Sequence, residues 1–206
     1  MKVKTHQIIA KRAYELVSAY LPITFDEKIM YLGARMPDLA PHRRFKAHNI
    51  RIAVKEEHFF KTLVHKKWHL EWLVAYSSGI MSHYMSDTFC YAHNMQNISV
   101  IQHRKYEVVM QHYSEKHVQK IESEKILQKW QELRHKGFED YLKTENISYH
   151  LDMGKCHTLD ECIALDLTRA IINSAVWMLE IAYIRHPEFM KKVLENHSNL
   201  DTLTDL

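Results

Sequence analysis

Apolar residues recur along this chain at steps of three and four rather than two, so the pattern predicts helices throughout. Thr5 reads as an N-cap, after which Ile9, Ala10, Ala13, Val17 and Tyr20 form one stripe that also holds His6, until Pro22 ends the run. Thr24 and Glu27 have capping-box spacing before a short helix expected to stop near Gly33, and residues 34–47, with two prolines, read as a loop. A helix from His48 into the Lys66 region follows. The clearest segment, 68–92, stacks Trp72, Tyr76, Gly79, Ile80, His83 and Asp87 along one face.

Further helices are predicted from Ser99 past His117 and from Glu122 to Leu142, with a loop over 145–157 around Gly154. Thr158 and Glu161 mark a second capping box, opening an apolar helix to Arg185. Pro187 then permits a last short helix before a polar, acidic tail. No internal repeat and no alternating stretch long enough for a strand is visible. The expected fold is all-α, a single-domain bundle of about seven helices spanning 1–206, with 185–206 as a C-terminal appendage.

Composition narrows the picture a little. Four glycines and four prolines in 206 residues suit long helices, and the 46% apolar and 26% charged fractions are those of a globular domain. A net charge of +3, from 28 basic and 25 acidic residues, gives no electrostatic reason to expect nucleic acid. Cys90, Cys156 and Cys162 are odd in number and lack ligand spacing, which favours a reducing, cytoplasmic setting. No secretory signal is visible and no run is read as a transmembrane segment. The outlying count is sixteen dispersed histidines.

Between residues 83 and 107 the chemistry concentrates. His83 and Asp87 are four apart, His93 follows six later, and His103 and Glu107 are again four apart. Residues four apart on a helix project together, so each pair can grip one ion from one face. Imidazole with carboxylate and no thiolate points to zinc in an open, catalytic type of site. Each residue alone reads as a hydrogen-bonded core group; together they read as ligands. Asp38 after Pro37, His48 and His6 are the upstream candidates. Of the other histidines, His58 is the one rival to His48. Gly79 is expected to let a neighbouring helix approach. Trp68, Trp72, Trp130 and Trp177 are core candidates, and Tyr84, Phe89 and Tyr91 are expected to wall the site.

These residues resemble the zinc-dependent phospholipases C of bacteria. The resemblance is carried by THQIIA at 5–10, GARMPD at 33–38, FKAH at 45–48, GIMSHYMSDTFCYAH at 79–93 and HRKYE at 103–107. It implies a zinc site of two or three ions: Asp38, His48, His83 and Asp87 around one, His93, His103 and Glu107 around a second, and His6 with a bridging Asp87 at a third. The family completes that third site with an N-terminal tryptophan. This chain has no such tryptophan, and Met1 stands five positions before His6.

Asp38 is the expected catalytic carboxylate, orienting or deprotonating water. Phe45 is the expected substrate-binding aromatic, while Leu39 stands where choline-selective members have an aromatic residue, so a quaternary ammonium headgroup is poorly supported. The implied activity is phosphodiester or phosphomonoester hydrolysis by metal-activated water, with a lipid headgroup as one substrate class. Two alternatives carry different chemistry: a nuclease or nucleotidase of the same zinc superfamily, related to the fungal single-strand nucleases, and a non-catalytic metal-binding module.

Overall fold

A computed structural model describes residues 1–40, 49–67, 70–94, 98–117 and 120–204, with 197–204 described by backbone alone. Among these residues there are ten α-helices, one short 3-10 turn at Ser18–Tyr20, and no strand. The helices are α1 (Val3–Val17), α2 (Glu27–Leu39), α3 (Ile50–Lys66), α4 (Trp72–Thr88), α5 (Tyr91–Asn94), α6 (Val100–Lys116), α7 (Ser123–Lys136), α8 (Phe138–Met153), α9 (Leu159–Arg185) and α10 (Pro187–Thr204).

Some predicted ends hold. Ser99 caps α6 in a reciprocal box with Gln102, and Thr158 caps α9 in one with Glu161. Others move, each for a physical reason. Helix α1 starts before Thr5, with Lys2 at the cap position and no side-chain cap; Thr5 is buried inside the first turns. The start is fixed instead by the burial of Met1. Helix α2 is capped by Asp26, not Thr24: its carboxylate accepts from the backbone N–H groups of Lys28 at 2.8 Å and Ile29 at 3.2 Å.

Helix α2 also runs through Gly33 and Pro37 to Leu39, where a loop was expected. Pro37 lies in the last turn, where it removes the bond to the Gly33 carbonyl and crowds that oxygen, a cost confined to one turn because the helix ends two residues later. The expected helix over 122–142 and loop over 145–157 are instead α7 and α8, broken at Gly137, whose φ of 81° lies in the left-handed region. Phe138, Tyr141, Leu142 and Tyr149 give α8 its buried face. The segment 68–92 divides as well: α4 ends at Thr88 and α5 begins at Tyr91, because the chain turns to bury Phe89 and Cys90.

Helices α4 and α9 form the centre. Every residue from Ser77 to Thr88 is buried, as are all from Ala170 to Ala182. The serines of α4 make this possible: Ser77 donates to the Val74 carbonyl, Ser86 to that of Ser82, and Ser82 to the Ser174 hydroxyl of α9 at 2.9 Å. Helices α1 and α2 close over α4, and the α2–α4 pair is the tightest, since Gly33 and Gly79 bring the two backbones into contact. The close-packing role expected of Gly79 is therefore observed.

Trp130 and Trp177 are core residues, but Trp72 is 47% exposed and leaves the stripe assigned to it; Trp68 lies outside the described residues. By length and composition α9 could cross a membrane, which the sequence reading had not anticipated; 72% of its apolar window is buried within the bundle, as in a core helix.

Candidate metal centre

One turn of α4 separates His83 from Asp87, and burial of the whole helix carries both into the interior, 0% and 1% exposed. His83 Nδ1 lies 3.0 Å from the Ala34 carbonyl of α2. A carbonyl can only accept, so this contact puts the proton on Nδ1 and turns the Nε2 lone pair toward the site. That Nε2 lies 3.1 Å from Asp87 Oδ2 and 3.7 Å from Asp38 Oδ1. His6, from α1, stacks on the His83 ring at 3.8 Å between centroids and brings its Nε2 to 3.7 Å from Asp87 Oδ1. His6, His83 and Asp87 thus offer ligand atoms within 4.8 Å of one another.

The second cluster comes from α5 and α6. His103 Nε2 is 3.0 Å from Glu107 Oε1, one helical turn along, and His93 Nε2 is 3.7 Å from the same oxygen. The imidazoles of His93 and His103 meet edge-on at 4.7 Å. His93 Nε2 also lies 3.3 Å from Asp87 Oδ1. The two oxygens of Asp87 therefore face different partners, Oδ2 toward His83 and Oδ1 toward His93 and His6. A bridging carboxylate needs this disposition.

Sequence reasoning missed the group between the clusters. The Met1 amino nitrogen is 2.9 Å from Asp87 Oδ1, 3.0 Å from His93 Nε2 and 3.1 Å from Glu107 Oε1. Its signal was the short spacing to His6, which α1 turns into proximity. Electrostatics shows what the site favours. Burial alone lowers the pKa of this amine, but the Asp87 and Glu107 carboxylates overcome it and push the value up to about 11.

Burial opposes ionisation of Asp87 and Glu107, yet the amine and the surrounding imidazoles hold both well below the usual carboxylate range. His6 is held neutral by its burial and by neighbouring His83. Neither of its buried ring nitrogens has a hydrogen-bond partner among the described residues. Ionised carboxylates and the neutral, unsatisfied His6 imidazole, with three further imidazoles beside them, form the kind of donor set that a divalent cation requires.

Asp38 stands on the last turn of α2, not in a loop, and is 32% exposed. With Leu39, Val100, His103, Arg104 and Glu107 it lines a cleft of about 700 Å³ that opens onto the second cluster. His48 and Phe45 lie outside the described residues. His58 is on the exposed side of α3. Tyr84 packs edge-on against His83 at 5.7 Å and so walls the site as expected. Phe89 faces away, onto Tyr149, and Tyr91 lies against Tyr106. The three cysteines are free thiols.

Fold and site together define an all-helical protein with two adjoining His–carboxylate clusters able to hold metal ions. No curated protein and no solved structure matches the chain. The chain belongs to the zinc dependent phospholipase C family, whose match covers residues 5–156 and so takes in every candidate ligand from His6 to Glu107.

Proposed function

We propose that the protein is a phosphoric ester hydrolase that cleaves a phosphodiester or phosphomonoester. The observation that carries this reading is the pair of clusters joined through Asp87, the second of which lines a cleft that also presents Asp38. His83 and Asp87, with Asp38 and His48, would hold one zinc ion, and His93, His103 and Glu107 a second. The Oδ1 side of Asp87, facing both His6 and the Met1 amine, suits a third.

When bound, zinc supplies positive charge that polarises phosphoryl oxygens and makes water a competent nucleophile near neutral pH. The chain's own groups do the rest. Asp38, the least buried carboxylate at the site, accepts the proton as water attacks phosphorus in line with the departing alcohol oxygen. The hydrogen bond from His83 Nδ1 to Ala34 keeps that imidazole in one tautomer and one orientation. Arg104 at the cleft rim offers a guanidinium to a phosphate oxygen or an anionic headgroup.

A quaternary ammonium substrate has little to recognise it: the described cleft residues are Asp38, Leu39, Val100, His103, Arg104 and Glu107, with no Phe, Tyr or Trp among them. A reducing, cytoplasmic setting belongs to the same proposal and is supported by the three free thiols.

Elemental analysis of the purified protein, followed by turnover of chromogenic phosphate diesters and monoesters, tests the reading. Two to three zinc ions per chain with ester hydrolysis is the expected result. Preference for nucleotides would favour the nuclease alternative, and bound zinc without turnover the metal-binding module.

A further inference from the structure

Asp166 lies on α9, beyond the segment matched by the family, and is 0% exposed. Its Oδ2 accepts from the Tyr91 backbone N–H at 2.9 Å and from the Tyr106 hydroxyl at 2.7 Å, and its Oδ1 accepts from the Tyr149 hydroxyl at 2.7 Å. Tyr91 opens the single turn of α5 that presents His93. Tyr106 sits on α6 between His103 and Glu107, pointing to the core while those two face the cleft. The two tyrosine rings also touch, at 5.7 Å between centroids. One oxygen of one carboxylate thus ties together both elements that carry the second cluster.

We propose that Asp166 is a positioning residue for that cluster, setting the separation between His93 and the His103–Glu107 pair. This rests on reading the cluster as a zinc site. A buried carboxylate is a costly way to hold helices together, since well-packed apolar groups of similar volume generally serve stability as well or better. What an apolar group cannot do is fix two donors at hydrogen-bond distance from a common point. Ligand geometry must be held to fractions of an ångström, and an α5 of one turn cannot hold it alone.

Tyr106→Phe and Tyr149→Phe each remove one hydrogen bond from this carboxylate, but Tyr149 is on α8, which carries no ligand. The pair therefore separates positioning from stability. Zinc affinity is measured by competition with a chromophoric chelator, site geometry by the visible spectrum of the cobalt(II)-substituted protein, and stability by melting of the chelator-treated protein. Tyr106→Phe and Asp166→Asn should weaken one class of zinc about tenfold or more and shift the cobalt bands, as loss of groups supporting metal ligands does. Tyr149→Phe should lower the melting temperature and leave affinity and spectrum unchanged.

Wild-type zinc binding with equal effects from the two tyrosine variants, or with no effect from Tyr106→Phe, overturns the proposal alone. A wild-type protein that binds neither zinc nor cobalt overturns the zinc reading and this proposal with it.

Discussion

Gly79→Ala should damage the metal centre without touching a ligand. A Cβ at residue 79 collides with the Met30 carbonyl oxygen and comes within 2.7 Å of the Ala34 nitrogen and 3.0 Å of the Gly33 Cα, all backbone of α2. Non-bonded heavy atoms are comfortable at about 3.5 Å, so α2 must retreat from α4 by on the order of 1 Å. The same stretch of α2 supplies the Ala34 carbonyl 3.0 Å from His83 Nδ1. That contact then lengthens beyond hydrogen-bonding distance, and a fully buried N–H is left unpaired.

Overpacking costs about 1–3 kcal/mol and the orphaned donor a further 1–3 kcal/mol or so. At about 2–4 °C per kcal/mol for a chain of this length, the melting temperature of the metal-free variant should fall by roughly 10 °C. Zinc affinity should fall about 10- to 100-fold, since His83 loses the group that orients it. Differential scanning calorimetry of chelator-treated protein, paired with zinc competition titration, measures both. A melting temperature within about 2 °C of wild type together with unchanged zinc affinity would refute the reasoning.

Asp38→Asn, whose amide oxygen can still reach the ion, should keep most of its zinc while turnover of a chromogenic ester falls by about two to four orders of magnitude, the usual worth of a general base; unchanged turnover would remove Asp38 from that role. Glu107 titrates in the folded chain at about 2 against an ordinary 4.5, so it contributes stability above pH 4.5 that disappears as the pH falls toward 2. Chelator-treated wild type should therefore lose about 1–2 kcal/mol more than Glu107→Gln across that interval, the full shift being reduced by solvent screening of a partly exposed group, read from urea unfolding at a series of pH values. Glu180, buried on α9, accepts from the Trp130 indole at 3.1 Å and pairs with Arg134 at 3.2 Å and Lys61 at 3.3 Å. The two cations can turn to water but the indole cannot, so Glu180→Leu should cost about 2 kcal/mol in urea unfolding with zinc content unchanged.

The local pairs were legible because they depend only on helical pitch. His83 with Asp87, and His103 with Glu107, had to share a face once their segments were helical, and both pairs do so. The capping boxes at Ser99 and Thr158 were equally local, although Ser99 was recognised only as a helix start. Prediction failed where a local signal had a tertiary competitor. Pro37 looked like a helix stop, but the Gly33–Gly79 contact holds α2 against α4 and carries the helix past it. Thr5 looked like a cap, but the helix begins where Met1 is anchored. Gly137 fell inside a single expected helix from Glu122 to Leu142, whereas its left-handed backbone ends one helix and starts another.

Period and residue type alone thus determined an all-helical chain and the His–carboxylate pairs one turn apart, since those follow from 3.6 residues per turn. Only the tertiary structure decided which pairs meet: that His6 stacks on His83, that the two oxygens of Asp87 face different clusters, and that the Met1 amine and Asp166 belong to the same region. Those groups are separated by tens of residues. Their convergence is set by which helix faces bury against α4 and α9, a property of the assembled core rather than of any segment in it.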